Sequence, residues 1–282
     1  MRLKLETLQP TSSYKVRGAF NTVLRMVEEH GGGSLPLLVT ASAGNHGRAL
    51  AWAVRAGGIQ LTVYAPLHAP RTKLQAIAAS GAVLVACHDY DEAERRAKEH
   101  ATREGALFIS PYSHPDVIAG AGTIGLEILD EWPDVDLIVV PIGGGGLISG
   151  IALAVRGVSQ NAQVAGVEVE ASCPFTRSLE AGRIVEIDVQ PTLADGLAGN
   201  LDLDTITFDI VRREVSQIAV VSEPQLRDAI AGVVANEHLI TEGAGAVGVA
   251  AVMAGKLDVR GKRVAIVLSG GNIDQDTLST IV

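Results

Sequence analysis

Short runs of aliphatic and β-branched residues alternate along this chain with longer stretches in which apolar positions recur every three or four residues. Leu37 to Thr40, Leu61 to Tyr64, Val83 to Ala86 and Leu107 to Ile109 read as strands, with helices near 45–56, 70–80 and 91–104 between them. A second series follows. Leu137 to Val140, Val164 to Glu168, Ile218 to Val221 and Val264 to Leu268 read as strands, and 117–131, 146–156, 223–236 and 243–254 as helices. The opening Leu3-Lys4-Leu5-Glu6 alternates like a strand, and Ser12 or Ser13 is placed to cap a helix through Ala19 to Glu29 that Gly31-Gly32-Gly33 would end. The strands are too continuously apolar to have a solvent face, which predicts parallel sheets covered by helices on both sides. The expectation is an α/β fold with two doubly wound domains.

Composition narrows the function classes. Among 282 residues, 47% are hydrophobic and only 4% aromatic, and mean hydropathy is +0.27, as suits Ala, Val, Ile and Leu in helices over buried strands. The net charge of -9, with no basic cluster interleaved with aromatics, argues against a nucleic-acid partner. Cys87 and Cys173 stand far apart without a CxxC or His-rich neighbour, so neither a disulfide framework nor a zinc site is expected. The charged first twenty residues do not form a signal peptide, and a cytoplasmic location is expected. Leu137 to Val155 is uncharged over nearly a membrane span, but its four glycines and Pro141 read as strand, turn and helix.

Four motifs carry candidate chemistry, and each has a plainer alternative. Gly143-Gly144-Gly145-Gly146-Leu147 follows an apolar strand and opens a helix, where bare backbone N–H groups would meet a phosphate; a tightly packed turn needs the same glycines. No Lys-Ser/Thr follows, so a nucleotide P-loop is disfavoured. Ser42-Ala43-Gly44-Asn45-His46-Gly47 makes a similar mouth suited to a carboxylate, or simple N-capping by Ser42. Lys15, one of six lysines, opens a helix where the dipole disfavours a cation; it is either a solvated lysine or an amine suited to a carbonyl cofactor. Ser269-Gly270-Gly271-Asn272 puts a hydroxyl at the carboxyl end of a strand, where α/β proteins bind ligands.

In their order, Ser13-Tyr14-Lys15-Val16-Arg17-Gly18-Ala19, Ser42 to Gly47, Gly143 to Leu147 and Ser269 to Asn272 resemble the threonine dehydratase and serine racemase family of fold-type II pyridoxal-phosphate enzymes. Further matches are Leu8 to Thr11, Val117 to Thr123, Gly166 to Glu168, Ala194 to Gly196 and Glu242 to Gly245, so the resemblance spans nearly the whole chain. It implies a tryptophan synthase β-like arrangement: residues 1–35 and 113–282 as a larger cofactor-binding domain, 36–112 as a smaller mobile one, and the cofactor in the cleft between.

By the same resemblance Lys15 holds pyridoxal phosphate covalently and moves the substrate α-proton. Tyr14 lies against the cofactor, Asn45 bonds its ring hydroxyl, Gly143, Gly144, Gly145, Gly146 and Leu147 cradle its phosphate, and Ser269, with Glu242 nearby, faces its pyridine nitrogen. Ser42, Ala43, Gly44, Asn45 and His46 take the substrate carboxylate. Glu168, with the Ser172 carbonyl, matches part of a site for a divalent or monovalent cation in some relatives. The implied activity is dehydration and deamination of L-threonine, and of L-serine, to a 2-oxo acid and ammonia. The alternatives are a serine racemase or another β-eliminating enzyme, or a non-catalytic ligand-binding relative; Ala43 stands where serine racemases have a serine, which argues for the dehydratase. A homodimer is expected, with no membrane or nucleic-acid partner. Family members carry several tens of residues before the Leu3 strand, so a truncated or altered start is expected. With no regulatory domain after Ser269, isoleucine feedback is not.

Overall fold

The computed structural model describes residues 1–30, 35–67, 69, 71–159 and 161–282. Strand β1 (Arg2–Leu5) leads to helix α1 (Lys15–His30). Strands β2 (Leu38–Ala41), β3 (Leu61–Pro66), β4 (Val83–Cys87) and β5 (Leu107–Phe108) are joined by helices α2 (Asn45–Gly57), α3 (Arg71–Ala78) and α4 (Tyr90–Glu104). Then come α5 (Pro115–Glu131), β6 (Leu137–Pro141), α6 (Gly146–Val158), β7 (Gln163–Val169), α7 (Pro174–Ala181) and α8 (Thr207–Glu214). The chain closes with β8 (Gln217–Val221), α9 (Glu223–Gly232), α10 (Gly243–Met253), β9 (Val264–Leu268) and α11 (Gln275–Ser279).

Two compact units result: Met1–Tyr14 with Ala121–Val282, and Lys15–Gly120. The first holds a five-stranded parallel sheet in the order β1-β9-β6-β7-β8. Alternate residues of each strand feed different cores: Ile138, Val140, Ala265 and Val267 pack on one face, and Leu137, Val139, Val264 and Ile266 on the other. The second unit holds a four-stranded parallel sheet, β4-β3-β2-β5, whose central strands β2 and β3 are buried on both sides, with Leu38, Leu61 and Val63 on one face and Val39, Ala41 and Tyr64 on the other. Continuous apolar strands thus became doubly covered sheets, because parallel connections lay helices over both faces.

Packing assigns α1 to the unit of the four-stranded sheet, so the boundaries fall after Tyr14 and Gly120, whereas sequence reading placed 1–35 with the larger domain and ended the smaller at 112. Val16, Ala19, Val23 and Met26 of α1 share a core with Leu38, Leu50 and Val63 of that unit, and a backbone contact brings in the start of α5. A Cβ added at Gly18 would sit 2.7 Å from the Val117 carbonyl, so α1 and the start of α5 meet where only glycine fits. Helix α1 starts at Lys15, which puts its cap position at Tyr14 rather than Ser12 or Ser13. The expected stop at Gly31 to Gly33 lies outside the described residues. Leu137 to Val155 forms β6, a turn and α6 as read, and among the described residues no helix is long and apolar enough to cross a membrane. Cys87 and Cys173 are buried and unbridged.

Candidate active site

In the five-stranded unit, the glycine run leaves the carboxyl end of β6 and enters α6. Gly145 sits at φ +85°, and a Cβ there would lie 2.6 Å from the Phe175 ring and 2.9 Å from Thr207 Cβ. Glycine is needed both for the left-handed backbone and for the packing behind it. Thr207 Oγ1 donates to the Gly144 carbonyl at 2.8 Å. Because the peptide is trans, anchoring that oxygen on α8 turns the Gly145 N–H the opposite way. The first N–H groups of α6 have no partner within the helix, and Ser149, in its first turn, has a buried hydroxyl with no hydrogen-bond partner among the described residues. Donors without side chains at a helix N-terminus, backed by a close-packed wall, fit a phosphate.

The carboxyl end of β9 is organised by three segments. Tyr14 N–H donates to the Ser269 carbonyl at 2.9 Å, and Ser13 bridges Gly270 in antiparallel fashion, so the residues just ahead of Lys15 are tied to the Ser-Gly-Gly-Asn turn. Asn272 Nδ2 donates to the Thr11 carbonyl at 2.9 Å. From the other side, the Glu242 N–H (3.0 Å) and the Thr241 hydroxyl (3.1 Å) donate to the Gly270 carbonyl. Ser269 is 4% exposed, and among the described residues its hydroxyl makes only a long 3.4 Å contact to the Ala244 carbonyl, which leaves it able to turn to a ring nitrogen. Backbone hydrogen bonds thus bring Tyr14 and Glu242 to Ser269 and Gly270. Gly143 joins them through the turn at Asp195–Leu197: its Cβ would lie 3.0 Å from Leu197 Cα, and one at Gly196 3.2 Å from Ala244 Cβ.

In the four-stranded unit, Lys15 opens α1 half-buried, with Nζ donating to the Pro111 carbonyl at 2.6 Å. Ser42 to Asn45 are partly exposed at the mouth of α2, where Ser42 Oγ accepts the Gly44 N–H at 3.2 Å and Gly44, at the cap position, has no side chain to obstruct the helix end. This mouth suits a carboxylate. His46 departs from the rest of its motif: its ring is buried, with Nε2 3.2 Å from the Ile109 carbonyl.

Glu168 is engaged in the protein's own hydrogen bonds. The Glu168 carboxylate accepts the N–H groups of Phe175 and Thr176, both at 2.9 Å, and the Thr176 hydroxyl at 2.6 Å, so it caps α7. Burial pushes its carboxyl above the ordinary range, against the pull of the Thr176 and Phe175 donors. Ser172 Oγ exchanges hydrogen bonds with Gly199, which leaves open its backbone carbonyl, the expected ligand atom; no group of three His, Cys, Asp or Glu side chains among the described residues is placed to hold a metal.

Sequence reading missed Thr207, whose hydroxyl orients the glycine loop from 63 residues away. Thr207→Val leaves the Gly144 carbonyl unpaired and frees the loop. Equilibrium dialysis with pyridoxal phosphate is expected to show about ten-fold weaker binding, the equivalent of one lost hydrogen bond.

The comparisons with known proteins agree. The family described as "Pyridoxal-phosphate dependent enzyme" matches residues 1–270. The L-threonine ammonia-lyase of Thermotoga maritima is 43% identical over 281 residues, covering 99% of this chain and 69% of that protein. The catabolic L-threonine dehydratase TdcB of Escherichia coli K12 is 39% identical, covering 99% and 84%. The structure of maize serine racemase superposes with a TM-score of 0.89 at 31% identity, covering 99% of this chain and 85% of the other. With two parallel sheets of the fold-type II kind and its ordered motifs at their strand ends, the chain belongs to the family of pyridoxal-phosphate dependent enzymes.

Proposed function

We propose that this protein dehydrates and deaminates L-threonine, and L-serine, to 2-oxobutanoate or pyruvate and ammonia. The observation that carries the reading is the buried, neutral Ser269 hydroxyl at the end of β9, in a chain 43% identical to an L-threonine ammonia-lyase over nearly its whole length. Bound pyridoxal phosphate supplies an electron sink for charge left at the substrate α-carbon, kept moderate where its ring nitrogen meets a hydroxyl instead of a carboxylate.

The chain's own residues do the rest. Gly143, Gly144, Gly145, Gly146 and Leu147 hold the phosphate on backbone donors at the α6 terminus, Ser269 and Glu242 border the ring nitrogen, Tyr14 gives an aromatic surface and Asn45 bonds the ring hydroxyl. Ser42, Ala43, Gly44 and Asn45 orient the substrate carboxylate on the positive end of α2. Lys15 would hold the cofactor through its amine until the substrate amine displaces it, and the freed Nζ would then take the α-proton. Racemisation needs a second acid–base group on the opposite face, and Ala43 has no hydroxyl to offer. Residues 36–112, inside the Lys15–Gly120 unit, as the mobile part and a homodimer belong to this proposal by resemblance, and a cytoplasmic location by the two unbridged cysteines.

The test is to incubate the protein and pyridoxal phosphate with L-threonine, L-serine or D-serine, and to measure ammonia, 2-oxo acid and the chirality of residual serine. Equimolar ammonia and 2-oxo acid from the L-substrates is the expected result. Interconversion of the serine enantiomers without ammonia would make the protein a racemase, and binding without turnover would make it a non-catalytic relative.

A further inference from the structure

His46 lies in the first turn of α2, in the motif that faces the substrate carboxylate, yet it is only 2% exposed. Its Nε2 is 3.2 Å from the Ile109 carbonyl, which also accepts the Thr40 hydroxyl at 2.8 Å. A carbonyl only accepts, so the hydrogen sits on Nε2 and Nδ1 is a bare lone pair. Nδ1 is buried and has no hydrogen-bond partner among the described residues.

That carbonyl belongs to a short, heavily restrained segment. The Ile109 N–H donates to the Val39 carbonyl at 2.9 Å, so the residue is held from both sides. Ser110 Oγ then accepts the Ser113 N–H at 3.0 Å. Between them stands Pro111, whose ring fixes φ and whose carbonyl accepts Lys15 Nζ at 2.6 Å. Two residues of nearly rigid backbone thus separate the oxygen that His46 holds from the oxygen that holds Lys15.

We propose that His46 is a positioning residue for Lys15: with Thr40 it anchors the Ile109 carbonyl, and so aims the Pro111 carbonyl that receives the lysine amine. This rests on the reading of Lys15 as the cofactor lysine. It assigns to His46 a role other than contact with the substrate carboxylate. Neutral imidazole suits the task, since it supplies one directed donor without adding a second positive charge beside Lys15. Burial, Lys15 and His114 together depress its pKa to about 3, against the weaker pull of the Ile109 carbonyl.

The variants are His46→Leu, His46→Gln and Thr40→Val. Two quantities are read: the fraction of protein carrying pyridoxal phosphate on Lys15 after borohydride reduction, by peptide mass spectrometry, and kcat and KM for L-threonine. His46→Leu is expected to lower both the Lys15 fraction and kcat about ten-fold with KM changed less than about two-fold, the pattern of a misplaced reacting group. Gln can place an amide N–H where Nε2 was and should restore the Lys15 fraction; Thr40→Val, which keeps the buried volume, should fall between. If His46→Leu does not fold, the Thr40→Val result decides. A rise in KM with kcat retained would make His46 a substrate contact, and a Gln variant no better than Leu would leave only ring packing; either overturns the proposal. Failure of the unmodified protein to carry cofactor on Lys15 overturns the underlying reading instead, and is seen before any variant is made.

Discussion

Lys15→Ala is expected to abolish release of 2-oxo acid from L-threonine, with kcat falling about 10³-fold or more, because both the covalent hold on the cofactor and the base that moves the α-proton leave with one side chain. The protein should also lose its cofactor on gel filtration while the unmodified protein retains it. The fold should survive. Lys15 is half-buried in the first turn of α1, where a cation opposes the helix dipole, and alanine is the better helix former. Among the interactions lost is the 2.6 Å bond to the Pro111 carbonyl, at a partly exposed site where water can replace the donor. Circular dichroism and a urea titration alongside the assay separate lost chemistry from lost structure. A stable, cofactor-retaining variant turning over at the original rate would remove Lys15 from the mechanism and the proposed reaction with it.

Acid should destabilise this protein well before its carboxylates titrate, and His46 is the reason. Its pKa is lowered from 6.5 to about 3, first by burial, then by Lys15 and His114. Between those values the unfolded chain takes up a proton that the folded chain refuses, so stability is lost as pH falls through this window and regained as pH rises. From pH 7 to pH 5 this one group accounts for about 2 kcal/mol, at a limiting slope of about 1.4 kcal/mol per pH unit. His114, also lowered by burial although Asp116 opposes the shift, adds in the same direction. The check is urea unfolding at pH 7, 6 and 5 for the protein and for His46→Gln. The variant, which has nothing to protonate at this position, should lose about 2 kcal/mol less across the range whatever its stability at pH 7. Parallel curves for the two proteins would mean that His46 takes its proton in the folded state.

The amino-acid sequence by itself determined the strand and helix series and the parallel sheets, and it singled out the motifs. These are local quantities. Continuous apolar runs such as Ile138-Val139-Val140 have no solvent face in any arrangement, and Ser13 to Ala19, Gly143 to Leu147 and Ser269 to Asn272 each declare themselves within seven residues. Tertiary structure decided what each polar group is for. Glu168 stands in sequence as an acid at a strand end, matched by resemblance to a cation ligand; only the fold brings the N–H groups of Phe175 and Thr176 onto its two oxygens. The same bonds explain why α7 was not foreseen. Eight residues carry too little period to stand out, and its cap lies on the preceding strand instead of beside its first turn. Helix α8 is as short, and with it went Thr207, whose bond to the Gly144 carbonyl spans 63 positions. His46 sits in a motif that sequence aims at a ligand, and its ring is turned inward by a carbonyl at Ile109. Hydrophobic burial acts through period and is written along the chain, whereas a buried hydrogen bond needs one particular partner, and which partner arrives is known only once the strands are in register.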